Sequence, residues 1–132
     1  MKGIPMLYAN RLLAAASIGI LLGLSNAVLA ADPPVKKSGD ILISESGMTL
    51  YVFDKDMVAG KSACNGPCAA LWPALTAAAD AKPAGAYTVI TRDDGAKQWA
   101  YKDKPLYFWV KDQKSGDRTG DGVNGIWHVA KD

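Results

Sequence analysis

Two short segments of the chain combine a phenol, a second aromatic ring and a carboxylate at the same spacing. Residues 51–56 read Tyr-Val-Phe-Asp-Lys-Asp and residues 107–112 read Tyr-Phe-Trp-Val-Lys-Asp, so both follow Tyr-x-aromatic-x-x-Asp. A phenol hydroxyl can donate a hydrogen bond to a carboxylate, and the three groups together can also form a ligand site. The motif residues, which are the candidate binding residues, are Tyr51, Phe53, Asp56, Tyr107, Trp109 and Asp112. No catalytic constellation accompanies them.

The motif carboxylates, Asp56 and Asp112, have three alternative roles. Each lies five residues after its Tyr, an odd separation that would place it on the opposite face of a continuing strand, so we expect the strand to end first. The carboxylate would then begin a turn and accept backbone N–H groups further along. Alternatively, each Asp accepts the hydroxyl of a motif Tyr, including that of the other repeat, because a buried phenol needs a partner. In the third alternative, the motif forms a surface ligand site.

The two cysteines, Cys64 and Cys68, are even in number in a chain with an export signal, which predicts a disulfide bond. A redox-active pair is the alternative, although the spacing is C-x3-C rather than C-x-x-C and no thioredoxin-like pattern surrounds it. A soft-metal site would require both thiols to stay reduced and to converge with His128, the single histidine. Haem attachment is disfavoured because Ala69, not His, follows Cys68.

An acidic, glycine-rich loop contains Asp112, Asp117 and Asp121. Oxygen-rich loops of this kind can bind Ca²⁺. The spacing matches no standard calcium loop, however, and Gly with Asp is also typical of tight turns, so a solvated turn region is the competing interpretation. These carboxylates are the weak metal candidates of the chain, and we predict no cofactor.

The two motif segments belong to a longer internal duplication. A Leu precedes each motif Tyr, an Asn-Gly pair follows further on, and a Trp lies 21 or 20 residues after the Tyr, at Trp72 and Trp127. An aligned set of this length indicates a repeat. We expect the first repeat at about 40–76 and the second at about 87–130 of a two-repeat domain spanning 40–132.

The elements that position these residues are predicted to be mainly β-strands. Apolar, β-rich runs separated by turn residues form a hairpin and then a three-stranded meander. The predicted strands are 41–43, 48–53, 87–90, 98–101 and 106–110. The predicted fold is therefore a small single domain of antiparallel hairpins built from two related halves.

One short helix is predicted near 68–75. Pro67 suits the first turn of a helix, and Pro73 disfavours helical backbone at the preceding residue, Trp72. The helix is therefore expected to last one or two turns.

The motif strands are expected to be central in the fold. Strand alternation places Tyr51 and Phe53 on one face and Leu50 and Val52 on the other. In the second repeat, Tyr107 and Trp109 oppose Leu106, Phe108 and Val110. Strands with two apolar faces lie inside a covered sheet, so we expect the two motif strands to pair about a pseudo-twofold axis.

Residues 1–30 are predicted to be a signal peptide. Basic residues flank the start, an apolar run of about 13 residues follows, and Val28 and Ala30 fit a small-x-small cleavage site. The run is shorter than the roughly 20 residues that span a bilayer. We expect cleavage near Ala30, a periplasmic or secreted product without a transmembrane segment, and a flexible leader at 31–39.

Composition limits the partners of the exported chain. The whole sequence has 15 basic and 13 acidic residues, and removal of Lys2 and Arg11 leaves 13 of each. A neutral chain lacks the long-range field that nucleic acid binding requires, so none is expected. No Cys lies near the cleavage site, and no lipid anchor is expected. The predicted partner is an unidentified envelope or extracellular molecule.

Four features together carry a family resemblance: both motifs, the segment 64–73, the Lys-Pro-Leu-Tyr lead-in at 104–107, and the segment 116–127. In these features the chain resembles the exported bacterial secreted repeats of unknown function, also called predicted lipoproteins with a Y-x-[FWY]-x-x-D motif. The resemblance implies an exported tandem-repeat module, and it implies no agreed activity or catalytic residues. The chain departs from the lipid-anchored members because it lacks their lipid-bearing Cys.

The sequence thus predicts an exported, non-catalytic binding or structural module with an unknown ligand. A redox or metal-handling protein that uses Cys64 and Cys68 is the first alternative. An unrecognised enzyme is the second.

Overall fold

A computed structural model of the chain describes residues 32–132, and the predicted signal peptide lies outside these residues. The elements are β1 Val35–Ser38, β2 Ile41–Ser44, β3 Tyr51–Phe53, α1 Pro67–Leu71, β4 Tyr87–Thr91, β5 Lys97–Tyr101, β6 Lys104–Pro105 and β7 Trp127–Val129. A 3-10 turn, Val123–Gly125, precedes β7. Three antiparallel sheets, β1–β2, β3–β7 and β4–β5–β6, contain these strands. The predicted mainly-β fold of antiparallel hairpins with one short helix is confirmed.

The predicted flexible leader, 31–39, is wrong for its second half. Val35–Ser38 form β1, which pairs antiparallel with β2. Gly39 has a φ of 64°, the left-handed backbone that a tight hairpin turn requires. The lysines of β1 are exposed, as lysines on edge strands commonly are. A strand of this composition orders because a neighbouring strand satisfies its backbone.

The helix α1 is shorter than the predicted 68–75. It begins at Pro67, which suits the first turn, and it ends at Leu71. Trp72 already has extended backbone, with φ −122° and ψ 77°, because the ring of Pro73 disfavours helical backbone at the residue before it. The chain after Pro73 is therefore free to run as an extended segment.

The third strand of the predicted meander, 106–110, is placed differently. The ladder with β5 ends at β6, and the following residues turn toward the first repeat, where Tyr107 bridges Tyr51 and Ala74. Within 106–110 only Tyr107 forms β-bridges, so the extent of the predicted strand is wrong. The expected pairing of the two motif segments is confirmed by the bridge between Tyr51 and Tyr107.

The predicted alternation along the motif strands is confirmed by two separate core clusters. One cluster contains Tyr51 and Tyr107 with both tryptophans that end the repeats. The other contains Leu50 and Leu106 with Trp99. The motif strands are therefore covered on both faces. Val110 differs, because its side chain is 46% exposed.

Each repeat contributes its last extended segment to the other repeat. The strand β7, from the second repeat, pairs with β3 of the first. The segment after Pro73 pairs in return with the second repeat, through bridges from Ala74 to Tyr107 and from Thr76 to Gln98. This reciprocal exchange relates the halves by an approximate twofold axis, and β3 has no ladder partner within its own half.

The described part of the chain, 32–132, contains no helix with the length and apolarity needed to cross a membrane.

Candidate functional site

The two motif tyrosines pair directly at the approximate twofold axis. The backbone N–H of Tyr51 donates to the carbonyl of Tyr107 at 2.8 Å, and the N–H of Tyr107 donates to the carbonyl of Tyr51 at 3.0 Å. Both side chains are fully buried. Their phenol hydroxyls therefore require partners inside the protein.

Each phenol finds its partner in the other repeat. The Tyr51 hydroxyl donates to Oδ2 of Asp112 at 2.6 Å, and the Tyr107 hydroxyl donates to Oδ2 of Asp56 at 2.6 Å. We call these four residues the Tyr–Asp clasp. The alternative in which each Asp accepts the hydroxyl of the partner repeat's Tyr agrees with this geometry. Hydrogen bonds between a phenol and a carboxylate are short and strong, so the clasp joins the repeats.

The second carboxylate oxygen of each clasp residue holds a turn, as the turn interpretation also expected. Oδ1 of Asp56 accepts the N–H of Ala63 at 2.6 Å, and Oδ1 of Asp112 accepts the N–H of Thr119 at 2.9 Å. Both bonds span seven residues, which follows from the duplication. In the second repeat the Thr119 hydroxyl also donates to Oδ1, at 2.6 Å. Both oxygens of each carboxylate are thus engaged.

The two halves of the clasp differ in their third partner. The N–H of Gly120 donates to the hydroxyl of Tyr51 at 3.1 Å. At the equivalent place in the first repeat, the Ser62 hydroxyl lies 2.7 Å from the Tyr107 hydroxyl. Because Tyr107 donates its proton to Asp56, Ser62 is the donor to Tyr107. The first repeat thereby acquires a polar side chain in its core.

Arg92 is buried beside Ser62 and extends this polar network. Its guanidinium donates from Nη1 to the Ser62 hydroxyl at 3.0 Å and to Oε1 of Gln98 at 2.6 Å, and from Nη2 to the carbonyl of Cys64. Gln98 in turn donates to the carbonyl of Leu106 at 2.8 Å. A buried charge is tolerated only when it is hydrogen-bonded, and the guanidinium of Arg92 makes three hydrogen bonds here. Sequence reasoning missed this network, since no motif or spacing marks Arg92 or Ser62.

Burial controls the acidity of the clasp. The pKa values of Tyr51 and Tyr107 are raised, first by desolvation and then by the hydrogen bonds to Asp112 and Asp56. The pKa of the Asp56 carboxyl is also raised by burial, against the opposing effects of the Tyr107 hydroxyl, the Ala63 N–H and the charge of Arg92. Both phenols are therefore protonated at neutral pH and supply neither a base nor a nucleophile.

Alkaline titration should reveal these buried phenols. Free Tyr ionises near pH 10, and the folded-state pKa values of Tyr51 and Tyr107 are higher. Their contribution to stability is therefore complete below about pH 10 and is lost as pH rises toward the folded-state values. We expect the phenolate absorbance of Tyr51 and Tyr107 to appear together with loss of the circular dichroism of the fold. Full Tyr ionisation with the fold intact would contradict this, and a Y51F/Y107F variant should lack the late absorbance change.

Four aromatic rings stack across the approximate twofold axis. Trp72 and Trp127, which sequence reasoning used only to mark the repeats, are parallel at the centre, with ring centroids 3.8 Å apart. Phe53 stacks on Trp127 at 4.1 Å and Trp109 stacks on Trp72 at 4.0 Å. The motif aromatics are thus the outer rings of the stack. Gly120 lies against Trp72 and Trp109, since a Cβ there would come within 2.8 and 2.9 Å of them.

The predicted disulfide bond between Cys64 and Cys68 is confirmed, with an S–S distance of 2.07 Å. It connects the turn before α1 to the first turn of that helix. Cys64 is fully buried, and its carbonyl accepts a hydrogen bond from Arg92. The bond therefore fixes the loop that carries Ser62.

The three carboxylates considered for a metal site have separate roles. Asp112 belongs to the clasp, Oδ2 of Asp117 caps backbone N–H groups of its own turn, and Oδ1 of Asp121 accepts the N–H of Val129. Among residues 32–132, no group of three or more His, Cys, Asp or Glu side chains is arranged to hold a metal ion.

Two surface cavities lie outside the ring stack. The smaller, about 380 Å³, is lined by Asp56 and Ser62 of the first repeat and by the exposed side chains of Met57 and Val58. The larger, about 610 Å³, lies beside β7 and the turn between β5 and β6. Asp56 is the one motif residue that lines either cavity among the described residues.

Of the comparisons with known proteins, one finds a match, and it divides the chain into the same two halves. No curated protein and no solved structure matches the chain. A family described as a secreted repeat of unknown function matches it twice, over residues 35–76 and 88–131, which correspond to the two halves joined by the clasp. The two matches cover most of the chain, and the protein belongs to this family of secreted repeats.

Proposed function

We propose that the protein is an exported, non-catalytic binding module in which the Tyr–Asp clasp is structural. The clasp supports this proposal because each of its phenols and carboxylates is satisfied by the other repeat and by the local turn. Hydrogen-bonded groups inside a core contribute to stability, and breaking their bonds to bind a ligand would leave buried polar groups without partners. Binding then belongs to surfaces outside the clasp.

The chemistry of the clasp favours a structural role over a catalytic one. A general base or nucleophile needs access to substrate and a pKa near the working pH. Tyr51 and Tyr107 are fully buried, and their pKa values are moved away from neutrality. We assign the disulfide bond between Cys64 and Cys68 a structural role as well, because Cys64 is buried and its carbonyl is held by Arg92.

The proposal includes the location of the protein outside the cytoplasm. Residues 1–30 act as a signal peptide that is removed near Ala30, and the remaining chain works in the periplasm or outside the cell. Membership of a secreted family and the disulfide bond support this location, because disulfide bonds persist in oxidising compartments.

A double-mutant cycle between Tyr51 and Asp112 tests the structural role of the clasp. We expect Y51F and D112A each to lower the free energy of unfolding by about 1 to 3 kcal/mol, because each leaves a buried polar group without its partner. The double variant should lose less than the sum of the two, with a coupling energy of about 0.5 to 3 kcal/mol. Urea unfolding followed by circular dichroism measures these values.

Tyr87 provides the matched control for this cycle. It is half-buried, and its hydroxyl forms no hydrogen bond with the other residues of 32–132, so Y87F should change stability by less than about 0.5 kcal/mol. If Y51F is as mild as Y87F and shows no coupling to Asp112, the clasp is not structural. The motif would then be free for a ligand.

A further inference from the structure

The larger cavity has the size of a small-molecule site. Its volume of about 610 Å³ lies within the range of roughly 300 to 1,000 Å³ that is typical of small-molecule sites. The turn between β5 and β6 forms one wall, and the residues from His128 to the chain end form the other. Val52 is an apolar residue of the lining and lies on the same face of the β3–β7 sheet as His128, whereas the side chain of Val129 packs into the core on the other face.

Three lysines give this cavity an excess of positive charge. Lys102, Lys104 and Lys131 line it, all three are exposed, and none forms a salt bridge with another residue of the described part of the chain. The processed chain is neutral overall, so this cluster is a local departure from its composition. A cavity whose lining carries a net charge concentrates ligands of the opposite sign.

Two carboxylates also line the cavity, and both are already engaged. Asp132 accepts a hydrogen bond from the Tyr101 hydroxyl at 2.6 Å and forms a salt bridge with Lys37 at 2.9 Å. Oδ1 of Asp121 accepts the N–H of Val129 at 3.1 Å. Tyr101 and Lys37 lower the pKa of Asp132, which keeps it charged and paired. These carboxylates therefore offset the three lysines only in part.

Hydrogen bonds and β-bridges fix the backbone of all three lysines, so that their side chains start from defined places around the cavity. Lys102 lies in the β5–β6 turn with a φ of 49°, and its N–H donates to the carbonyl of Ala86 at 2.9 Å. Lys104 pairs with Tyr101 in the β-ladder, and Lys131 bridges to the start of β2. A lysine ammonium acts as a point charge without the planar preference of Arg, so the number of ligand charges matters more than their geometry.

We propose that this cavity binds a small polyanion that carries two or more phosphate or carboxylate groups. The anionic groups lie against Lys102, Lys104 and Lys131, and the body of the ligand contacts Val52. This inference rests on the proposed binding function and names its ligand class.

Titration of the exported protein with inorganic pyrophosphate and with citrate tests the inference. At low ionic strength we expect saturable shifts in the NMR signals of Tyr101, Ala130 and Lys131, and weaker binding as salt is added. The K102Q/K104Q/K131Q variant should raise the Kd at least about tenfold, because three favourable charge interactions are lost. Preference for pyrophosphate or for citrate separates phosphate from carboxylate ligands.

The matched control is K55Q/K82Q/K111Q, which removes three exposed lysines outside this cavity and gives the same net charge. It should change the Kd by less than about twofold. Equal weakening by both triple variants, shifts at other residues, saturable binding only to an anionic polymer such as heparin, or no saturable binding to either probe would each overturn the inference. Circular dichroism of both triple variants will check that they fold. The Tyr51–Asp112 cycle uses no residue of this cavity, so its outcome is independent.

Discussion

Replacing Trp72 with Ala should lower the free energy of unfolding by about 3 to 5 kcal/mol, the usual cost of removing a buried aromatic side chain. Trp72 is 3% exposed, stacks between Trp109 and Trp127, and meets the ring of Tyr51 edge to face. Domains of this size are stable by only about 5 to 15 kcal/mol. The substitution therefore removes a large part of the total stability, which urea unfolding followed by circular dichroism will measure.

The twofold arrangement provides both a parallel and a control for this substitution. Trp127 occupies the equivalent place in the stack and is 2% exposed, so W127A should cost a similar amount. Val110 is 46% exposed, and V110A should cost less than about 0.5 kcal/mol. A loss below about 1 kcal/mol for W72A would show that the stack does not hold the repeats together.

Separating the two repeats should abolish folding. A fragment 32–82 lacks β7, so β3 has no ladder partner, and a fragment 83–132 lacks the segment that bridges Tyr107 and Gln98. Each fragment also retains only one Tyr and one Asp of the clasp. We expect neither fragment to fold alone and an equimolar mixture to recover the native fold.

NMR spectra of the fragments, alone and mixed, measure this complementation. The second fragment with Tyr107→Pro is the control, because Pro cannot donate the N–H that bonds to the Tyr51 carbonyl. This variant should fail to restore the fold when it is mixed with the first fragment. Well-dispersed signals and cooperative unfolding from either fragment alone would show that the repeats are independent.

Local pattern was sufficient for much of the fold. Alternation along the motif strands predicted which side chains share a face, because it follows from backbone geometry alone. Pro73 similarly predicted extended backbone at Trp72. The order in β1 and the extent of the strand predicted at 106–110 could not be predicted in this way. The lysines of β1 give no strand signal although β2 follows directly after Gly39 and Asp40, and the chain after β6 leaves β5 to meet Tyr51, which is distant in sequence.

The candidate site also has features that the sequence predicted and features that it did not. The need of a buried phenol for an acceptor led to the alternative in which Tyr51 and Tyr107 bond to carboxylates of the opposite repeat. The sequence could not choose between that alternative and a turn, and the structure contains both. The role of Arg92 was not predicted. A buried Arg can be identified only from the acceptors that surround it, and these acceptors come from separate segments of the chain.

Because each repeat gives its last extended segment to the other, the order in which the chain can fold is restricted. The strand β3 is completed by β7, and the Leu50 carbonyl accepts its hydrogen bond from Ala130 at 2.8 Å. The first repeat therefore lacks the partner of β3 until β7 of the second repeat is available, and pairing over so long a stretch of sequence slows folding. While the second repeat is unfolded, the open edge of β3 is exposed to proteases and to pairing with other chains.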